Sequence, residues 1–257
     1  MSEAIGRSLP LPLGRRVTGD FLHASMQMPM VAVQKQMNVA EVVAARLSLR
    51  VRPSWCSIFT KAYGKVVASR PDMRRAFLSF PWERMFEYTV TTADIVVEAP
   101  LGDETVLLNV PLKRPESCPL LDIDRRLAWC REDPMDRVRN VRRARRLARF
   151  PRVIRHAMWW YLLNVSGPRR SRYFGTYGVT SVGKWGVESL RPIAPWISLL
   201  HYGMIDPQGN MTARLTYDHR VLDGSGPARA LVEMEQFLRT DILAELKTLD
   251  DGHRKAA

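Results

Sequence analysis

The stretch DHRVLDG, residues 218–224, constrains the fold of this chain more than any other. In front of it, apolar Ala213, Leu215 and Tyr217 alternate with polar residues, which is the period-two pattern of a β-strand. An amphipathic helix is predicted behind it from about Ala228. A histidine between a buried strand and a helix is held by rigid elements on both sides. Such an arrangement suits a general base, which needs a fixed position.

The same seven residues resemble a known family. They match the D-H-R-x-x-D-G signature of the catalytic domain of 2-oxo acid dehydrogenase acyltransferases (dihydrolipoamide acyltransferases), whose H-x-x-x-D-G core is shared with chloramphenicol acetyltransferase. The resemblance implies an α/β fold of the chloramphenicol acetyltransferase-like type, a single domain with a mixed sheet packed by helices. It implies that His219 is the catalytic base and that Asp223 is mainly structural, paired with an arginine such as Arg16 or Arg15. Supporting residues in the same loop are Asp218, Arg220 and Gly224.

A second segment resembles the family near its oxyanion-stabilising serine. Residues 174–183, FGTYGVTSVG, are similar to the family's G-T-F-T-I-S-N-L-G. The family's serine falls on Thr180 and its asparagine falls on Ser181. Because threonine keeps a hydroxyl donor, Thr180 is predicted to stabilise the oxyanion, with Ser181 as the alternate. The competing interpretation of Thr180 is an ordinary threonine of a β-strand.

The rest of the chain predicts strands that alternate with helices, which favours a mixed α/β sheet packed by helices. Predicted strands are 31–37, 86–91, 93–97 and 106–110, and predicted helices are 53–69 and 118–134. Asn38 and Glu41 have the spacing of a capping box for a further helix that ends near Leu49. We expect an extended leader at 1–14, the catalytic domain at 15–249 and a polar tail at 250–257.

Residues from about 135 to 172 are predicted to form an Arg-rich helical insertion. Arginines crowd positions 137–155, and Trp159, Trp160 and Tyr161 follow directly. The favoured interpretation is a solvated helix whose arginine stems lie on apolar surface. The second is a peripheral contact of residues 137–172 with a membrane or an acidic protein, which the net charge of +13 also favours. The least favoured is nucleic acid, because no binding module is recognisable.

Composition narrows the class of protein. No apolar run approaches the ~20 residues that span a bilayer, and the N-terminus lacks the pattern of a secretory signal. Three cysteines, Cys56, Cys118 and Cys130, fit a reducing compartment. No cysteine or histidine spacing indicates a metal site, so no metal is expected. We therefore expect a cytoplasmic protein, with a membrane-peripheral location as the variant.

The expected function is acyl transfer by a free-standing enzyme, because nothing in the sequence resembles the family's lipoyl domains or linkers. A CoA thioester is the expected co-substrate, with a lipoyl group on a separate protein as the alternative, and the acceptor is a small molecule. The family further implies a homotrimer or larger homo-oligomer, with His219 and the oxyanion hydroxyl on neighbouring subunits. The alternative function is a non-catalytic trimeric scaffold that recruits an acidic partner or a membrane through the Arg-rich segment.

Overall fold

The structure is a computed structural model that describes residues 6–101, 104–132, 142–143, 146–183, 186–190 and 192–255. Its strands are β1 Met30–Asn38, β2 Arg75–Leu78, β3 Arg84–Glu87, β4 Thr92–Leu101, β5 Glu104–Lys113, β6 Tyr177–Thr180, β7 Ser198–Tyr202 and β8 Asn210–Asp218. Its α-helices are α1 Leu13–Ser25, α2 Ala40–Ser48, α3 Trp55–Ser69, α4 Leu120–Glu132, α5 Arg152–Asn164, α6 Gly167–Phe174, α7 Ser225–Phe237 and α8 Leu243–Lys255.

Six of the strands form one mixed sheet in the order β1-β8-β7-β6-β4-β5. The β4–β6 and β6–β7 pairs are parallel, and the others are antiparallel. β2 and β3 form a separate two-stranded hairpin. The predicted mixed sheet packed by helices is confirmed, and β8 brings the DHRVLDG loop to one end of that sheet.

The main core lies between one face of the sheet and the helices α2, α3, α4, α7 and α8. Alternate residues of the strands, such as Ile95, Val179 and Leu215, point into this layer and are fully buried. Ser54 caps α3 by accepting a hydrogen bond from the Ser57 N–H at 3.1 Å. This layer buries both the strand before the loop and the helix after it.

A smaller apolar cluster lies on the opposite face of the sheet. It contains Ala24 of α1, Leu162 and Leu163 of α5, and Trp196 and Leu199 next to or within β7. Helix α1 packs against α5, and a buried ion pair joins them: Arg155 donates to the Asp20 carboxylate at 2.6 and 3.1 Å. The second layer therefore comes from α1 and from the predicted Arg-rich segment.

Several predicted boundaries need correction. The strand predicted over 86–91 is β3, which ends at Glu87 because its partner β2 begins only at Arg75. The capping box at Asn38 and Glu41 is not formed as predicted: Asn38 accepts from the Ala40 N–H at 3.2 Å, but the N-cap residue is Val39. Helix α1 starts two residues inside the predicted leader, and the backbone of α8 continues into the predicted tail.

The favoured interpretation of the Arg-rich segment, a solvated helix, is wrong for two of its arginines. Arg155 and Arg170 are 8% and 2% exposed. Arg170 donates to the carbonyls of Phe77, Leu163 and Pro195 at 3.0 to 3.4 Å. Burial lowers the pKa of the Arg170 guanidinium. Within the segment, residues 152–164 and 167–172 are helical, whereas 133–141 and 144–145 lie outside the described residues.

Across the described residues, no helix combines the length and the apolar character that crossing a membrane requires.

Candidate active site

His219 stands at the end of β8 with its side chain exposed to solvent. Its backbone N–H donates to the Pro29 carbonyl at 3.0 Å, so the sheet extends one hydrogen bond beyond β8. Its ring meets the ring of Tyr217 edge to face, with centroids 5.7 Å apart. The backbone of the histidine is therefore fixed while the imidazole faces outward.

One hydrogen bond determines which nitrogen of His219 is available. The Nδ1 atom lies 3.0 Å from the Leu222 carbonyl oxygen. A carbonyl oxygen only accepts, so Nδ1 carries the proton in this contact. In the neutral ring the lone pair is then on Nε2. This is the tautomer that a general base needs, and it results from a backbone atom three residues further along the loop.

Asp218 and Arg220, on either side of the histidine, hold the loop together. Asp218 is fully buried. Its carboxylate accepts from Arg220 Nε at 2.9 Å and Nη2 at 2.7 Å, and also from the Arg220 N–H at 3.1 Å. The guanidinium lies over the ring of Phe77, 4.8 Å from its centroid. A bidentate pair of this kind fixes orientation as well as contributing energy.

Among the described residues, Asp223 does not have the predicted arginine partner. Its side chain is exposed, and among the described residues it forms no ion pair. Arg16 donates instead to the Ala148 carbonyl at 3.1 Å, and Arg15 is exposed. The physical reason is topological, since α1 packs on α5 across the second layer, away from the loop after β8. Gly224 has an ordinary φ of −54° and precedes α7.

Thr180 is the last residue of β6 and is half-buried. Its neighbours Tyr177 and Val179 point into the main core, so Gly178 and Thr180 point to the opposite face. No hydrogen bond of its hydroxyl is formed with any described residue. The alternate donor Ser181 is occupied, because its hydroxyl donates to the Tyr202 carbonyl at 2.8 Å and accepts from the Gly183 N–H at 3.2 Å. Of the two, Thr180 has the available hydroxyl.

The sheet register keeps Thr180 and His219 apart in one chain. Thr180 pairs with His201 of β7, and His201 pairs with Arg214 of β8, five residues before His219. At ~3.3 Å per residue along a strand and ~4.8 Å between strands, the two residues are roughly 19 Å apart. A single reacting carbonyl cannot touch both side chains of the same chain.

Polar groups are buried on the face of the sheet where Thr180 lies. Burial raises the pKa of Asp94 to about 7, even though its carboxyl accepts from Asn109 and Trp196. Burial, followed by the charge of Arg214, lowers the pKa of His201 to about 4. His201 Nε2 accepts from the Ser189 N–H at 3.3 Å. At neutral pH His201 is therefore uncharged and Asp94 is only partly ionised, and sequence patterns gave no sign of either.

A cavity of about 510 Å³ opens on this same face. Thr180 contributes to its wall together with residues of α1, α5 and α6. Within the described ranges, no cluster of histidine, cysteine and acidic side chains is arranged to hold a metal ion.

The chain is similar to known proteins in its structure but not detectably in its sequence. No protein-family model matches the sequence, and no curated protein matches it. Among solved structures, dihydrolipoamide acetyltransferase of Azotobacter vinelandii is 19% identical, with 93% of each chain covered and a TM-score of 0.68. A probable dihydrolipoamide acetyltransferase of Listeria monocytogenes is 15% identical, with 96% of this chain and 97% of that chain covered and a TM-score of 0.64.

A third structure is the cubic core of the pyruvate dehydrogenase multienzyme complex. It is 18% identical, with 94% of this chain and 95% of that chain covered and a TM-score of 0.65. This chain has the dihydrolipoamide acetyltransferase fold. The predicted fold class is thereby confirmed: an α/β, chloramphenicol acetyltransferase-like mixed sheet packed by helices. Likeness at these identities concerns the fold.

Proposed function

We propose that this protein is an acyltransferase that moves an acyl group from a CoA thioester to a thiol, hydroxyl or amine acceptor, with His219 as the general base. The observation that carries this is the contact of His219 Nδ1 with the Leu222 carbonyl, which leaves a basic Nε2 exposed to solvent. A structural histidine has no need of an outward-facing lone pair held by a fixed loop. A positioned base of this kind is worth about 10²–10⁴ in rate.

The reaction requires one proton to move twice. Nε2 removes the proton of the acceptor as its heteroatom attacks the thioester carbonyl carbon. The tetrahedral intermediate then expels the CoA sulfur, which takes the proton back from Nε2. The products are the acylated acceptor and free CoA thiol, so atoms and charge balance. The intermediate carries its negative charge on the former carbonyl oxygen, where a hydrogen-bond donor is needed.

We propose Thr180 of a neighbouring copy as that donor. Its hydroxyl is free of protein partners among the described residues, and the sheet register separates it from His219 of its own chain. One fixed donor at an oxyanion is worth about 10²–10³ in kcat. A homo-oligomer, with a trimer as its smallest unit, brings the two together. A structural neighbour that forms the cubic core of a multienzyme complex supports assembly of this fold into homo-oligomers.

The position of Asp223 corresponds to that of a residue studied in one of the structural neighbours. In the Azotobacter vinelandii enzyme a serine, a histidine and an asparagine four positions after the histidine have been studied for their catalytic roles. In this chain the residue four positions after His219 is Asp223. It is exposed beside the base, where an acidic side chain can contact an incoming substrate or the neighbouring copy. We assign it a supporting role, not that of a triad carboxylate, because Leu222 already occupies Nδ1.

The test of the function is thiol release from acyl-CoA by the purified full chain. Dihydrolipoamide and simple thiol, alcohol and amine acceptors are offered in parallel, so that lipoyl-linked and free-standing chemistry are distinguished. His219→Ala is expected to lose at least a hundredfold in kcat, and Thr180→Val is expected to lose a hundredfold or more, with Thr180→Ser retaining activity. Thr248→Val, on the exposed side of α8, is the matched control and should change nothing.

Mixing the two inactive variants tests the shared site. In mixed rings of His219→Ala and Thr180→Val chains, about a quarter of the sites receive both intact residues. Activity should return to about that fraction after subunits are dissociated and reassembled, whereas a site within one chain would give no recovery. A well-assembled wild-type protein with no release above His219→Ala would refute the proposal and favour the non-catalytic scaffold.

A further inference from the structure

The cavity beside Thr180 is bounded by two layers of the fold. Its volume is about 510 Å³, within the ~300–1,000 Å³ typical of small-molecule sites. The sheet supplies one wall through β4, β5, β6 and β7, and helices α1, α5 and α6 contribute to the other. Voids larger than a water molecule are rare in a packed core. A space of this size is larger than a packing void and has the volume of a small-molecule site.

The lining is almost entirely apolar. Its side chains include Phe21, Val96, Phe150, Trp159, Leu162 and Leu199. Apart from the Thr180 hydroxyl, the polar groups at its sheet wall are occupied, since the Asn109 amide and the Trp196 indole N–H both donate to Asp94. An occupant therefore has to be hydrocarbon over most of its length, because a polar or charged group would lose its hydration without gaining partners.

Polar side chains of two kinds, a hydroxyl and two arginines, also line this largely apolar cavity. The Thr180 hydroxyl, the candidate oxyanion donor, forms part of the wall. Arg143 and Arg146 also line it; Arg146 is exposed and Arg143 half-buried over the ring of Tyr173. The cavity thus combines an apolar interior, one hydroxyl donor at the sheet and positive charge on the solvent side.

We propose that this cavity binds the acyl chain of the substrate, a fatty acyl group of medium to long length, with its thioester carbonyl at Thr180. This rests on the proposed acyl transfer and adds the substrate class. If each methylene takes ~30 Å³, the share of a water molecule in the liquid, the cavity has room for a chain of roughly 8 to 16 carbons. An acetyl group would leave it nearly empty. The guanidinium groups on the solvent side suit the phosphates of CoA.

Binding can be measured without turnover, which separates this inference from the proposed function. Acetyl-, butyryl-, octanoyl-, dodecanoyl- and palmitoyl-CoA are titrated calorimetrically into His219→Ala protein below their micelle concentrations, with the free fatty acids in parallel. The affinity is expected to rise roughly fourfold per added methylene, the equivalent of ~0.8 kcal/mol for each buried CH₂, and to level off once the cavity is filled. Higher affinity of the CoA esters than of the free acids supports a contact with the CoA phosphates.

A pair of variants in one loop ties the effect to this cavity. Ile193 lines it and is 44% exposed, so Ile193→Trp can extend into it without disrupting the core. Leu190 is 75% exposed, does not line it and supplies the control Leu190→Trp. Ile193→Trp should weaken binding of dodecanoyl-CoA at least tenfold and leave acetyl-CoA unchanged, while Leu190→Trp should change neither.

Three binding results would overturn the inference. The first is an affinity that does not depend on chain length, and the second is an equal effect of the two tryptophan variants. The third is no acyl-CoA binding together with an oligomer that Ile193→Trp weakens, because a neighbouring copy would then fill the cavity. His219-dependent turnover confined to acetyl-CoA would also reject the substrate class while leaving the proposed function intact. Chain-length-dependent binding with no turnover on any donor would uphold the site and reject the proposed function.

Discussion

Replacing Asp218 by asparagine tests whether one buried carboxylate holds the catalytic loop in place. The carboxylate is 0% exposed and accepts three hydrogen bonds from Arg220, two from the guanidinium at 2.9 and 2.7 Å and one from the backbone N–H at 3.1 Å. Asparagine keeps the shape and one acceptor oxygen. It removes the negative charge and turns an NH₂ group towards a guanidinium, which cannot accept from it.

The expected cost follows from the exposure of the partner. Breaking a fully buried ion pair costs about 3–5 kcal/mol. The side chain of Arg220 is 27% exposed and can turn partly to solvent, which reduces this cost. Arg170 increases the cost, because its buried guanidinium interacts electrostatically with Asp218 and would lose that compensating negative charge. We expect Asp218→Asn to lower the free energy of unfolding by about 2–4 kcal/mol.

Activity should fall together with stability, because His219 lies between Asp218 and Arg220, which form the ion pair. A displacement of the imidazole by about 1 Å is expected to cost up to 10²-fold in kcat. Urea unfolding of Asp218→Asn, Arg220→Gln and the double variant gives the coupling free energy, which should exceed about 1 kcal/mol for residues in direct contact. A coupling free energy near zero, or an Asp218→Asn enzyme with an unchanged free energy of unfolding and an unchanged kcat, would refute the proposal that this ion pair holds the loop in place.

Two further predictions concern buried charge. Because burial raises the pKa of Asp94 to about 7, its contribution to stability is complete below about pH 4, where the unfolded carboxyl is also protonated, and is lost as the pH rises to about 7. Asp94→Asn should therefore match wild type in urea unfolding near pH 4 and exceed it by up to roughly 4 kcal/mol at pH 8; equal stability at pH 8 would contradict the burial argument. Replacing Asp20 by asparagine should leave the Arg155 charge without its carboxylate between α1 and α5, which should lower the free energy of unfolding by about 3–5 kcal/mol in thermal or urea unfolding. The exposed control Arg152→Met should change the free energy of unfolding by no more than about 0.5 kcal/mol.

The loop and its flanking elements were predictable because their signals are local. The alternation of Ala213, Leu215 and Tyr217 is a period-two pattern, and β8 follows it. The apolar stripe beyond Ala228 predicted α7, whose actual start at Ser225 differs by one turn. Local patterns of this kind do not depend on what the rest of the chain does. They located the His219 loop between the right two elements.

Burial of individual arginines could not be predicted in the same way. Arg155 and Arg170 belong to a run in which arginine is abundant, and the sequence does not distinguish a side chain that meets Asp20 or three backbone carbonyls from one that meets water. Their partners are up to 135 residues away along the chain. Similarly, the Leu222 carbonyl that orients His219 is a backbone atom and leaves no mark in the residue pattern.

The separation of Thr180 from His219 depends on the register of three strands, and this changes what the two motifs mean. The ladder β6–β7–β8 fixes the positions through backbone hydrogen bonds, so no choice of side-chain rotamer can close a gap of roughly 19 Å. If both residues act on one carbonyl, the unit of function is a pair of chains. Each chain then contributes a base to one site and a hydroxyl to another, and the fatty acyl cavity beside Thr180 belongs to the site of the neighbour's histidine. Oligomer dissociation should consequently abolish turnover while leaving acyl-chain binding in place.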